Sequence, residues 1–198
     1  MTADDITALL SQLSLPSTPP STPTPAPIPS SLTVSLSPSK TTYVVFVGHR
    51  PGVYNSWSEC LAQTKGAPHN SYKGYASFAA AERAYSAAKA RGLVCTAEMR
   101  AANVRRVIRR QLLTLEDLPL CTHFLEDATS KAMASDMSRY YVVYAGIQPG
   151  VYLTFHECSF LTSGYKGSVH RSFDTREAAT QSLERAFAER KVVKFVLQ

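Results

Sequence analysis

The apolar positions of this chain follow two periods in turn, first two-residue and then helical, and they do so twice. Tyr43–Val47 is a run of β-branched and aromatic residues that predicts a strand. Gly48-His49-Arg50-Pro51-Gly52 is turn chemistry, and Val53–Ser56 returns as a second strand, closing a hairpin. Ser56 or Ser58 can cap a helix running to about Lys65, with Cys60, Leu61 and Thr64 on one face. A loop at Gly66–Ser71 precedes a third short strand, Tyr72–Ala76. A second helix follows, with Phe78, Ala81, Ala84, Tyr85 and Ala88 at helical spacing and Gly92 just past its end.

The same order recurs 98 residues later. YVVFVGHRPGVYNSWSECLAQTKG from Tyr43 aligns without gaps on YVVYAGIQPGVYLTFHECSFLTSG from Tyr141. Tyr43, Val44, Val45, Gly48, Pro51, Gly52, Val53, Tyr54, Glu59, Cys60, Thr64 and Gly66 are identical to their counterparts, which marks a duplicated domain. The final helix of the second copy is predicted from Thr175 to about Glu189. The expected architecture is therefore α+β: two copies of a small ββαβα domain, each a three-stranded antiparallel sheet with two helices, at residues 41–91 and 139–198. Tyr43, Tyr54, Phe78 and the valines are expected in the cores, with Cys60 and Cys158 as small buried packing groups.

Residues 92–138 read as a helical linker. Within it, 95–113 (CTAEMRAANVRRVIRRQLL) fits a basic amphipathic helix with Ala101, Val104, Ile108 and Leu112 as its apolar stripe. Arg105, Arg106, Arg109 and Arg110 then lie elsewhere on its surface, either solvated or adding phosphate contacts between the copies. Residues 1–40 form the N-terminal tail, expected to be disordered because the Pro, Ser and Thr of 16–40 offer too little apolar area to offset ordering entropy. Ahead of that stretch, Asp4–Leu15 fits a short amphipathic helix and also resembles a leucine-rich nuclear export signal.

Composition narrows the function classes. A formal charge of +6 and a pI near 9.2 suit nucleic acid or an anionic surface. No apolar run approaches the roughly 20 residues that span a bilayer, and Asp4 and Asp5 stand where a secretory signal would be basic. The four cysteines form no CxxC pair and no zinc spacing, so they read as reduced thiols. The expectation is a soluble cytoplasmic or nuclear protein with no membrane partner.

RPGVYNSWSEC, then a loop and YKGY before an alanine-rich helix, resembles the N-terminal hybrid-binding domain of eukaryotic ribonuclease H, also called the viroplasmin-like domain. The resemblance is strong over about 42–90 and weaker over 140–188. It implies binding of RNA/DNA hybrid across the minor groove. Trp57 matches the family's helix-start Trp, Tyr72 its strand aromatic and Lys73 the basic residue beside it. Such a site has a physical rationale: the shallow minor groove of an A-like duplex displays 2′-hydroxyls, and a flat aromatic face packs on a deoxyribose lacking one. Arg50 and Lys73 would neutralise phosphates, and Gly48 and Gly52 would let the backbone approach the groove. In the second copy the corresponding residues are Gln148, Phe155, His170 and Arg171, so weaker binding or another partner is expected there. Phe46, Val47 and Gly74 stand where the family is usually basic.

The nucleic-acid-binding set expected from sequence is thus Gly48, Arg50, Gly52, Trp57, Tyr72, Lys73, Phe155, His170 and Arg171. No catalytic residue, metal or cofactor is implied, because the acidic residues are scattered and the resemblance does not extend to a ribonuclease H catalytic domain. The expected partner is RNA/DNA hybrid or double-stranded RNA, with a protein partner conceivable through the N-terminal tail. Two other readings compete: a protein-interaction or scaffolding module, and an accessory subunit recruiting a nuclease in trans.

Overall fold

A computed structural model of the chain describes residues 41–106, 108–134 and 139–198. The expected tail and its leucine-rich segment lie outside the described residues. The first copy opens with the hairpin β1 (Thr42–Gly48) and β2 (Gly52–Tyr54), followed by α1 (Trp57–Thr64), β3 (Ser71–Tyr75) and α2 (Phe78–Ala90). β1 is central, with β2 and β3 antiparallel to it. The second copy repeats this with β6 (Tyr140–Gly146), β7 (Gly150–Tyr152), α6 (Phe155–Thr162), β8 (Val169–Phe173) and α7 (Arg176–Ala188). Even the irregularities repeat: the β1–β3 register slips between Val45 and Val47, and the β6–β8 register between Val143 and Ala145. The fold class is as expected, α+β with two sheets.

Each copy gains a strand beyond that expectation. β4 (Cys95–Thr96) pairs in parallel with Val47 and Gly48, and β9 (Val193–Leu197) pairs in parallel with Ala145 and Gly146. The 98-residue offset holds at these positions too, so the repeating unit is ββαβαβ. Among the described residues of 95–113 only α3 (Ala97–Val104) is helical; it follows β4, and β5 (Ile108–Leu112) after it runs antiparallel along β9. The sequence suits either state, but the free edge of β9 supplies partners for the strand's backbone groups. Short helices α4 (Leu118–Thr122) and α5 (Ala128–Met133) complete the segment, with 3₁₀ turns at Leu115–Asp117 and His123–Leu125.

Two cores result. In the first copy Val44, Phe46 and Tyr75 pack beneath Ala81, Ala84 and Ala88 of α2, where alanines let the helix lie close to the sheet. In the second, Val142, Val151 and Leu153 meet Leu183 and Phe187 of α7. The valines of β1, Cys60 and Cys158 are buried as expected. Phe78 is not: as the first residue of α2 it points outward and stays 48% exposed.

The intervening segment is packed rather than a free tether. Arg91, at the end of α2, pairs with the fully buried Glu157 of α6 and donates to Ser130 Oγ at 2.6 Å. Arg100 of α3, only 2% exposed, donates to the main-chain oxygens of Phe160 and Ser163 and lies over the rings of Phe160 and Tyr165. His156 of α6 stacks on Phe46 with 3.8 Å between ring centroids, its Nδ1 2.7 Å from Ser71 Oγ. Burial pushes the His156 pKa down to about 3, reinforced by the charges of Arg100 and Arg91 and opposed by the Leu93 main chain. Phe46 therefore fills the junction between copies, which accounts for its being apolar.

Candidate nucleic-acid interface

Local capping chemistry fixes Trp57. Ser56 caps α1 by accepting from the Glu59 amide, and Glu59 Oε2 accepts in return from the Ser56 amide at 3.1 Å, a capping box. This makes Trp57 the first residue of the helix, with its ring 43% exposed. Strand register brings two tyrosines to it. Tyr72 stands opposite Val45 and Gly74 opposite Tyr43, so all four share one face of the sheet. The Trp57 ring lies 5.5 Å from that of Tyr43 and 5.4 Å from that of Tyr72, which is 44% exposed. Gly74 leaves room for this row: a Cβ there would come within 3.0 Å of Thr41 Cγ2 and 3.6 Å of the Tyr43 ring. Tyr43, expected in the core, is thus half-buried at the end of an aromatic surface. Period-two alternation from Val45 was the signal that could have placed it.

Lys73 does not sit beside Tyr72. Successive strand residues face opposite ways, so Lys73 lies opposite Val44, on the α2 face, with Nζ 5.8 Å from the Tyr75 ring. Arg50 is exposed in the hairpin turn, its carbonyl accepting from Tyr54 Oη at 2.6 Å. Gly52 has space around it, its nearest neighbour being the Tyr54 ring at 3.6 Å from an added Cβ. Gly48 is buried, and a Cβ there would fall 2.6 Å from the Gln63 carbonyl oxygen and 2.7 Å from Val45 Cγ1. Its glycine is explained by the close approach of α1 to β1 rather than by an approach to a ligand.

The second copy keeps the frame and alters the surface. Thr154 and Glu157 form the equivalent capping box, and Phe155 is 57% exposed with its ring 5.7 Å from Tyr141. His170 stands opposite Val143 and Arg171 opposite Val142, both exposed and on opposite faces. The hairpin differs most. In the first copy β2 is half-buried and the turn is open, whereas Pro149, Gly150 and all of β7 are buried. α4 and the following turn cover them: a Cβ on Gly150 would fall 2.6 Å from the Cys121 carbonyl oxygen and 3.2 Å from the Phe124 ring.

Among the described residues no three His, Cys, Asp or Glu side chains are grouped to hold a metal ion, and no helix is long and apolar enough to cross a membrane. The four cysteines are free.

No solved structure matches the chain. The family model described as the ribonuclease H1 N-terminal domain matches twice, over residues 41–85 and 139–181. Each match begins at the residue before its first strand, β1 or β6, and runs into α2 or α7, ending short of the parallel strand that extends its sheet. Matched hairpins, matched capping boxes and a matched register slip agree with the two alignments: the chain carries two tandem domains that match the ribonuclease H1 N-terminal domain family model.

Proposed function

We propose that this protein binds RNA-containing duplexes without cleaving them, RNA/DNA hybrid at or above double-stranded RNA, and chiefly through its first copy. The observation that carries this reading is the exposed row Tyr43–Trp57–Tyr72 beside an open hairpin turn bearing Arg50 and Gly52. Aromatic faces pack against sugars and bases whatever the sequence. The open turn exposes its main chain, and those of its groups not already bonded within the domain, as the His49 amide and the Arg50 and Pro51 carbonyls are, can meet 2′-hydroxyls in a shallow minor groove. Arg50 adds a phosphate contact. Such readout is of shape and sugar, so little base preference is expected. In the second copy Phe155, His170 and Arg171 remain outward, but the covered hairpin removes the main-chain part of the site. The two matches are to an N-terminal domain alone, which supports a non-catalytic role.

The test is a titration of the whole chain with labelled hybrid, double-stranded RNA and double-stranded DNA of equal length. Affinity should fall in that order, with DNA far behind, and no cleavage should accompany binding in magnesium. Trp57→Ala should weaken hybrid binding by about fivefold or more, a typical loss for one aromatic contact, with circular dichroism unchanged. Equal affinity for all three duplexes would leave only non-specific electrostatics. Binding to none would favour a protein-interaction module.

A further inference from the structure

The aromatic surface of the first copy does not stop at Tyr72. Between β3 and the start of α6 lies a cleft of about 240 Å³ whose walls come from both copies: Ser71 and Tyr72 on one side, Arg139, Tyr141, Phe155 and His156 on the other. That is space for on the order of eight water molecules. The lining carries no carboxylate and two cations, Lys73 and Arg139; Arg139 is exposed, with Asp174 at 3.2 Å as its counter-charge. The walls are held by the Ser71–His156 and Arg91–Glu157 contacts, so the cleft is part of the packed junction.

We infer that the two copies form one continuous binding surface, in which this cleft takes the sugar–phosphate backbone of a nucleic-acid strand leaving the Trp57–Tyr72 row. The inference rests on the nucleic-acid reading above and adds that Phe155 and Arg139 belong to the same site. Charge and ring chemistry select this occupant. An exposed aromatic on each wall offers flat faces to sugars or bases, and a cation with no lining carboxylate suits a phosphate. The second copy does not offer the same site independently, because Pro149 and Gly150 of its hairpin turn are buried, Gly150 against α4 and the turn after it. Its exposed Phe155 instead lines the cleft shared with Tyr72.

Titrating the full chain with a hybrid of one helical turn (about 10 base pairs) tests this. One hybrid should bind per chain. Phe155→Ala should weaken that single event by about fivefold or more, and Arg139→Gln should reduce the slope of log affinity against log salt by about 1. Two hybrids per chain would overturn the inference, since the copies would then be separate sites. So would a Phe155→Ala variant that binds normally while Trp57→Ala does not, which would leave the first copy's role intact. If no hybrid binds, the nucleic-acid reading fails and the cleft assignment with it.

Discussion

Glu59 and Glu157 are the same residue in the same motif, yet their surroundings differ completely. Each closes a capping box, but Glu59 is exposed, whereas Glu157 is fully buried against Arg91 and Ser130. Losing a cap costs about 1 kcal/mol. Removing one partner of a buried ion pair costs about 3–5 kcal/mol, because the other charge is left unpaired. Glu157→Gln should therefore destabilise the chain by about 3 kcal/mol in urea unfolding, and Glu59→Gln by about 1 kcal/mol at most. Similar losses at the two positions would mean that the Arg91 contact contributes little. The burial of Glu157 has a cause that its own motif does not contain, the Arg91 and Ser130 side chains brought to it from outside the second copy.

The helix ends show conformation kept while residue type drifts. α2 ends in Gly92 at φ +68°, with the Leu93 amide bonded back to Ala88 O; α7 ends in Arg190 at φ +54°, with the Lys191 amide bonded to Ala186 O. Both turns use the left-handed region to close the helix, and each hands the chain to the parallel strand β4 or β9. Glycine enters that region freely, while a residue with a Cβ is penalised by roughly 1–2 kcal/mol, partly offset by glycine's greater unfolded-state freedom. Arg190→Gly should accordingly raise stability by up to about 1 kcal/mol, and Gly92→Ala should lower it by about 1 kcal/mol. Thermal unfolding of the two variants would show both signs; a destabilised Arg190→Gly would mean the arginine side chain makes a contact that outweighs its backbone strain.

At the scale of the molecule, the junction between copies is built from groups that must be neutral or paired to stay buried. His156 lies between Phe46, Ser71 and Phe160, with Arg91 and Arg100 nearby. Its folded pKa near 3 is below the ordinary value of 6.5, so the unfolded chain binds the proton first. Stability from this group is complete above about pH 6.5 and is lost as pH falls from there toward 3, by at most about 1.4 kcal/mol per pH unit. His69, also lowered by burial and by Arg100, adds in the same direction. Glu126 and Asp127 are held below the usual carboxylate range, so their losses come at lower pH, below about 4.5. Unfolding free energy should thus decline already between pH 6.5 and 5. In His156→Gln that early decline should shrink, whatever the variant's absolute stability, and an unchanged slope would remove His156 as its source.

Much of the fold was legible because it is written in short-range chemistry. The PGVY turn, the Ser56 and Thr154 caps and the change from period two to helical period specify hairpin and helix locally, and duplication makes each copy a check on the other. Trp57 and Tyr72 were marked by the family resemblance rather than by local pattern, and their rings lie 5.4 Å apart. What followed from tertiary structure depends on distant partners. Residues 108–112 fit a helical stripe, but the edge of β9, the distant VKFVL of residues 193–197, made them a strand. Adjacency in sequence placed Lys73 beside Tyr72, and the pleat separates them. Two nearly identical hairpins became one open and one covered, because α4 packs on only one of them. Local patterns set which elements form, since capping and turn energies act within a few residues. Burial, pairing of strand edges and the neutrality of His156 were decided by which surfaces meet, and no local period encodes that.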